Sequence, residues 1–351
     1  MLKISLAQMD TFFRAVASLR KLYIPVDNEG GARWEPWAEG KTWSSALNTN
    51  RSAKDFFFPQ TENLYNLNLN GHTVEVTDIR DEHEDFVIFG VRACDVRSFS
   101  ILDMVFLSEP VDTYYKNRRE HSLIVSVACT APAHTCFCRQ MGIDASDPEG
   151  DVTCWLSGDT LYLQAKTGKG EDFLKTAGEA CPALSDAGGT AEADKAKAEI
   201  RSALDALQPL FPAETGVFSE ENLKAVFYSP LWAELSEACL GCGTCTFVCP
   251  TCQCYDIRDF DTGSGVRRFR CWDSCMYSDF TKMSAGQPRP TQLERFRQRF
   301  MHKLVYFPAN NDGVYGCVGC GRCLAKCPIS MNIVKVARAL AAGVPAKKEG
   351  N

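Results

Sequence analysis

The sequence predicts an α/β N-terminal domain over residues 1–185 and a small α+β domain over residues 231–340, separated by a helical linker region over 186–230. Three observations predict this. Two short apolar runs, residues 86–91 and 123–128, flank a helical pattern, as in a βαβ unit whose strands are buried on both faces. Gly188-Gly189 and the stretch rich in Ala, Lys, Asp and Glu that follows mark a loop and a surface helix bordering two domains. Near the C-terminus eight cysteines fall in two runs of one spacing, Cys239-x-x-Cys242-x-x-Cys245-x-x-x-Cys249-Pro250 and Cys317-x-x-Cys320-x-x-Cys323-x-x-x-Cys327-Pro328.

In chain order, apolar residues Leu2, Leu6, Met9, Phe12, Phe13, Val16 and Leu19 recur near helical period, so residues 1–22 are predicted helical, with a strand over 22–26. Gln8, Asp10 and Arg14 interrupt that stretch and exclude a secretory signal peptide. Phe56-Phe57-Phe58 is read as core, because adjacent positions do not share a helix face. The acidic run 81–85 is read as a solvated loop before the strand at 86–91.

That strand runs into Arg92-Ala93-Cys94-Asp95, with Asp95 expected as N-cap of a helix over 96–106. The strand at 123–128 ends on Cys129. In a parallel sheet the C-terminal strand ends face one crevice, where ligands bind. Cys94 and Cys129 are therefore expected side by side at its rim, and the next loop adds Cys136-Phe137-Cys138. Cys94, Cys129, Cys136 and Cys138 are predicted to hold a 4Fe–4S cluster, with zinc or a group of buried structural cysteines as the alternatives. His134, in the same loop, is read as solvated. A hairpin is predicted over 151–164, turning at Gly158-Asp159. Cys154 and Cys181 have no partners at ligand spacing and are read as structural. The helix within 190–209 is expected to carry an apolar stripe of Ala203, Leu204 and Leu207, with 192–197 as a solvated face.

The two tandem runs carry the clearest chemistry. Each has the bacterial ferredoxin spacing for a 4Fe–4S cluster, in which three close cysteines wrap one cube and the fourth, before Pro, reaches the other. One cluster is thus assigned to Cys239, Cys242, Cys245 and Cys327, the other to Cys317, Cys320, Cys323 and Cys249. Zinc ribbons show separated C-x-x-C pairs instead. The domain is accordingly read as a bacterial-ferredoxin-like dicluster domain with a long insert over 251–316. The insert holds Cys252, Cys254, Cys271 and Cys275, whose metal ligation is left open. It is also basic, with Arg267, Arg268, Arg270, Arg289, Arg295, Arg297, Arg299 and Lys303. Cations near anionic cubes should raise their reduction potentials. Phe269, Phe296 and Phe300 interleave with the arginines as in some nucleic-acid patches, but the net charge of −6 disfavours that reading.

The 351 residues are 45% hydrophobic and 23% charged, as in a soluble globular protein. No run is long and apolar enough to span a membrane. Most of the 18 cysteines cluster at metal spacing, which argues for a reducing, cytoplasmic compartment. There is no G-x-G-x-x-G after a strand, no Walker loop and no H-E-x-x-H. With neither a flavin nor a nicotinamide site expected, the chain reads as a non-catalytic electron conduit that needs partner subunits as donor and acceptor.

Several strings then resemble one family: Phe89-Gly90-Val91-Arg92-Ala93-Cys94-Asp95, Cys136-Phe137-Cys138, Cys249-Pro250-Thr251-Cys252-Gln253-Cys254, Trp272-Asp273-Ser274-Cys275 and Cys317-Val318-Gly319-Cys320-Gly321-Arg322-Cys323. They are similar to the iron–sulfur β subunits of cytoplasmic sulfhydrogenases and to the electron-donating iron–sulfur subunit of anaerobic sulfite reductase. Related subunits occur in flavin oxidoreductases tied to heterodisulfide reductase. The match runs from the Phe56 segment to about Val334. The resemblance implies a cytoplasmic, anaerobic multisubunit complex and a third cluster beyond the ferredoxin pair. In it, an FAD- and NAD(P)-binding flavoprotein subunit exchanges hydride, and this chain relays single electrons to or from a catalytic subunit of hydrogenase, heterodisulfide reductase or sulfite reductase type. Cys271 falls where relatives are expected to carry arginine and is dropped as a ligand; Cys252, Cys254 and Cys275 match the family pattern and stay open as additional ligands. In a sulfite reductase, the chain would instead be the electron donor to a sirohaem subunit. A catalytic sirohaem enzyme fits poorly, since Cys129 and Cys136 are separated by six residues instead of five.

Overall fold

The protein is described by a computed structural model covering residues 1–80 and 84–344. Asp81, Glu82 and His83 of the acidic run lie outside the described residues. The chain opens with β1 (Leu2–Ser5), α1 (Met9–Leu19), β2 (Lys21–Asn28), β3 (Gly31–Pro36), β4 (Thr61–Asn70), β5 (Thr73–Asp78) and β6 (Phe86–Val91). Helices α2 (Ala93–Phe106) and α3 (Thr113–His121) lead to β7 (Ser122–Val127), the hairpin β8 (Val152–Ser157) and β9 (Thr160–Ala165), α4 (Gly168–Ala180) and β10 (Ser185–Asp186). There follow α5 (Ala191–Asp205), α6 (Leu223–Phe227), α7 (Leu231–Glu237), α8 (Thr244–Phe247), β11 (Tyr255–Asp261) and β12 (Gly265–Trp272). Helices α9 (Gln292–Met301), α10 (Phe307–Asn310), α11 (Arg322–Lys326) and α12 (Ile333–Gly343) follow among the described residues.

The architecture is mixed α/β. An eight-stranded sheet runs β10-β1-β9-β8-β7-β6-β2-β3. Its centre, β2, β6, β7 and β8, is parallel. Strands β6 and β7 are buried along their whole length, which is why they read as unbroken apolar runs. The β8–β9 hairpin turns at Gly158-Asp159 as expected. Phe57 and Phe58 are fully buried, in line with the core reading of that triplet.

Three local expectations are corrected. The chain does not begin as a helix: Leu2–Ser5 pairs with both β9 and β10, because alternating Leu2 and Ile4 satisfy a sheet edge that the helical pattern of α1 had masked. Helix α2 starts at Ala93 with Arg92 as N-cap, so Asp95 lies in its first turn and its carboxylate binds Arg322 instead of capping. Helix α5 buries Ala193, Ala196, Ile200 and Leu204, while Leu207 stays exposed; the small alanines let its first half lie close on the sheet.

A second sheet, β11-β12-β4-β5, joins residues far apart in sequence. β12 pairs antiparallel with β4, so residues 255–272 share a sheet with 61–78. Arg270 anchors the join: its Nε donates to Glu62 at 2.5 Å and its Nη1 to Asp112, and Arg118 also pairs with Glu62. Trp272 stacks on Phe58, ring centroids 5.8 Å apart.

Candidate metal centres

In the first cysteine run Cys239 and Cys242 lie on the loop between α7 and α8, Cys245 lies in α8 and Cys249 just beyond it. Cys239, Cys242 and Cys245 line a cavity together with Cys327 from the end of the second run. Met276, Phe296, Phe300 and Ile329 close it with apolar surface. In the converse crossing, Cys249 lies beside Cys317, Cys320 and Cys323, near enough that charge on it opposes ionisation of each. The two runs also share a backbone feature: the Gly241 N–H donates to Cys239 Sγ and the Gly319 N–H to Cys317 Sγ, each at 3.5 Å. Thr251 ties the runs together, its hydroxyl donating to the Gly316 carbonyl at 2.8 Å.

The third set converges as well. Cys94, in the first turn of α2, and Cys129, just beyond β7, line one enclosed cavity with Cys136 and Cys138. Arg92 holds the strand ends, donating to the carbonyls of Ala128 at 2.9 Å and Ala46 at 3.2 Å. His134 is exposed. Cys320 of the second run lines the same cavity. The Phe137 N–H donates to the Gly319 carbonyl at 2.8 Å, and Asn48 donates to the Cys320 carbonyl at 2.9 Å. At Gly319, φ is +60° and a Cβ would stand 2.5 Å from the Phe137 carbonyl carbon, so only glycine fits this approach. Burial pushes the Cys138 thiol up to about 12 and raises Cys94, Cys129 and Cys136 also. Such thiols give up their protons to a metal, not to water.

Cys252, Cys254 and Cys275 form a further, half-buried group. Cys249 opposes ionisation of Cys252, and Cys254 opposes that of Cys275. The Cys275 contact, with Lys303 and Lys54 acting alongside, holds Cys254 down at about 7. Lys54 Nζ donates to the Cys252 carbonyl at 2.9 Å and sits 3.6 Å over the Trp272 ring. Lys303 Nζ donates to Thr251 Oγ1 at 2.8 Å and the Gly316 carbonyl at 2.9 Å. Burial opposes the charge on Lys303, but Cys249, Cys252 and Cys317 outweigh it and raise its pKa. Arg299 behaves alike through Cys245, Cys323, Cys252 and Cys249.

This cation set tests the fit of thiolate-held clusters. A buried positive charge is costly unless negative charge stands beside it. Lys303 and Arg299 face thiols, and anionic cubes on those sulfurs would supply the balance. Among the described residues, no three His, Cys, Asp or Glu side chains are close enough to hold a single metal ion. The quartets at Cys239 and Cys94 surround cavities instead.

Of the basic residues in 251–316, Arg299 and Lys303 thus lie at the cysteines, whereas Arg270 and Arg268 serve carboxylates of the second sheet. Phe296 and Phe300 are core residues against Trp232, which removes the interleaved patch that a nucleic-acid surface would need. Sequence reasoning missed Asn48, Lys54 and Arg322. Arg322 stood in plain view inside the second run, whereas nothing around Lys54 or Asn48 marks them out.

Residues 238–331 match the family described as the 4Fe-4S dicluster domain. The chain is similar to sulfhydrogenase 2 subunit beta of Pyrococcus furiosus, with 31% identity over 332 residues that cover 93% of each chain. No solved structure matches it. No helix among the described residues is long and apolar enough to cross a membrane.

Proposed function

The chain belongs to the family of sulfhydrogenase β subunits, and from that premise we propose that it relays single electrons between two partners: an FAD- and NAD(P)-binding flavoprotein subunit, and a catalytic redox subunit of hydrogenase or heterodisulfide reductase type. It is an iron–sulfur electron-transfer subunit of a cytoplasmic complex. Cys239, Cys242, Cys245 and Cys327 hold one 4Fe–4S cluster, Cys317, Cys320, Cys323 and Cys249 a second, and Cys94, Cys129, Cys136 and Cys138 a third. Residues 251–316 are an insert in the ferredoxin-like domain, whose Arg299 and Lys303 balance the charge of the clusters. Each cluster stores one electron at a time.

One observation carries this reading: the three quartets are contiguous. Cys249 and Cys327 cross between the first two, and Cys320 of the second lines the cavity of the third. Such a series suits charge hopping through a chain with no hydride- or phosphate-binding motif. At one end Cys242 is exposed and Leu240 beside it is 64% exposed, which supports an electron hand-over there.

The test is anaerobic purification of the chain with iron and sulfide analysis. About twelve irons per chain are expected for three cubes, with no bound flavin and no hydride exchange with NAD(P)H. Cys129→Ser should lose about four of those irons, while Cys154→Ser, in the sheet core, should lose none. Zinc in place of iron at the tandem runs, or flavin in the isolated chain, would overturn the proposal.

A further inference from the structure

Arg322 belongs to the second cysteine run, between Cys320 and Cys323, yet its guanidinium is bound to the N-terminal half. It donates to Asp95 through Nη1 at 2.5 Å and Nη2 at 2.7 Å. It also donates to Thr49, through Nε to the carbonyl at 2.9 Å and Nη2 to the hydroxyl at 3.2 Å. The side chains of the pair are 3% and 2% exposed. Asp95 directly follows Cys94 in α2, and Cys320 lines the cavity that Cys94 shares with Cys129, Cys136 and Cys138. The ion pair therefore stands at the seam between two cysteine quartets, with Cys94 and Cys320 both within electrostatic reach of the guanidinium.

Packing alone does not explain it. Desolvating two charges costs as much as their attraction returns, and apolar side chains would close the seam equally well. An apolar pair cannot hold a fixed charge at a defined point between two anionic groups. Adding an electron to one cube adds a negative charge that opposes reduction of its neighbour. A guanidinium locked at four points offsets that repulsion without having to reorganise as the electron moves.

We propose that Arg322 and Asp95 are positioning residues for electron passage between the cluster at Cys320 and the cluster at Cys94. Asp95 locks the guanidinium at the seam, and the guanidinium favours the reduced, more anionic form of the cluster on either side. One electron leaves one cluster and enters the other; no bond forms or breaks and no proton moves. Asp95 partly cancels the charge on the Cys94 side, so the larger effect falls on the cluster at Cys320. The inference rests on the cluster assignment proposed above.

The test is electron paramagnetic resonance of the full chain poised at a series of potentials. Arg322→Gln strands the Asp95 carboxylate and should make both midpoint potentials more negative and lower the unfolding temperature. Arg322→Lys keeps the charge and should hold the potentials near wild type. Asp95→Asn combined with Arg322→Gln puts neutral amides at the seam and should restore the unfolding temperature. In this double variant reduction of the cluster at Cys320 should stay at least tenfold less favourable, about 59 mV for a one-electron couple. A double variant that keeps all its iron with unmoved potentials would overturn this inference alone. A wild-type chain holding only about eight irons would overturn it together with the assignment beneath it.

Discussion

Gly319→Ala should drive the second cysteine loop away from the N-terminal thiols. A Cβ there would lie 2.5 Å from the Phe137 carbonyl carbon and 2.6 Å from the Cys138 nitrogen, both backbone atoms with no rotamer to yield. Three effects add. Alanine in the left-handed region, at φ +60°, costs about 1–2 kcal/mol. Overpacking against a well-packed neighbour costs about 1–3 kcal/mol. Separation of the loops breaks the Phe137 N–H bond to the Gly319 carbonyl, a further ~1 kcal/mol. The total is roughly 3–6 kcal/mol, against roughly 5–15 kcal/mol for a whole domain. Gly188→Ala is the matched control: its φ is +72°, but a Cβ there meets nothing within 4 Å, so only the backbone cost of about 1–2 kcal/mol applies. Anaerobic urea unfolding of both variants, with iron analysis, separates the two contributions. Gly319→Ala should unfold at clearly lower urea than Gly188→Ala and retain about eight irons in place of twelve. If the two variants unfold within about 1 kcal/mol of each other with equal iron, the reasoning that the loops interlock is refuted.

Three other outcomes follow from named contacts. Arg270→Met leaves buried Glu62 with Arg118 alone and takes the cation from half-buried Asp112, and should cost roughly 1–3 kcal/mol; hydrogen exchange should show β4 and β12 losing protection before β6 and β7. Burial holds His302 down at about 4, with Lys303 and Arg289 adding to the effect. The unfolded chain therefore takes up this proton first as pH falls below about 6.5, and stability present above that pH is lost progressively towards pH 4. Between pH 7 and pH 5 the loss should be about 2 kcal/mol, and His302→Gln should flatten that part of the urea-midpoint profile; an unchanged slope would contradict the assignment. Removal of iron by chelation leaves Lys303 and Arg299 buried with less negative charge beside them. Hydrogen exchange should then show α8, α9 and α11 opening while the eight-stranded sheet keeps its protection, and uniform loss across both would count against a local charge balance.

Local pattern carried the sequence a long way. The two tandem runs declare a ferredoxin-type dicluster domain because three of the four cysteines assigned to each cube lie within seven residues, a spacing that is local. The parallel strands declare themselves because burial on both faces leaves an unbroken apolar run, and a βαβ unit then puts Cys94 and Cys129 at the same sheet edge. The first strand was illegible for the opposite reason: four residues of alternation cannot be told from the start of an adjoining helix until β9 offers them a partner. The expectation that 251–316 gathers arginines round the clusters met a similar limit. Arg299 and Arg270 look alike in sequence, but one is surrounded by thiols and the other by Glu62 and Asp112.

By itself, then, the sequence determined that a 4Fe–4S dicluster domain is present, since the spacing within each cysteine run is local. Only the tertiary structure decided how the groups connect. The pairing of β12 with β4, the contact of Gly319 with Phe137 and the grip of Arg322 on Asp95 each join residues more than about a hundred positions apart. No local periodicity encodes such partners. They are selected when the packed core leaves each buried charge and each backbone donor a single place to be satisfied.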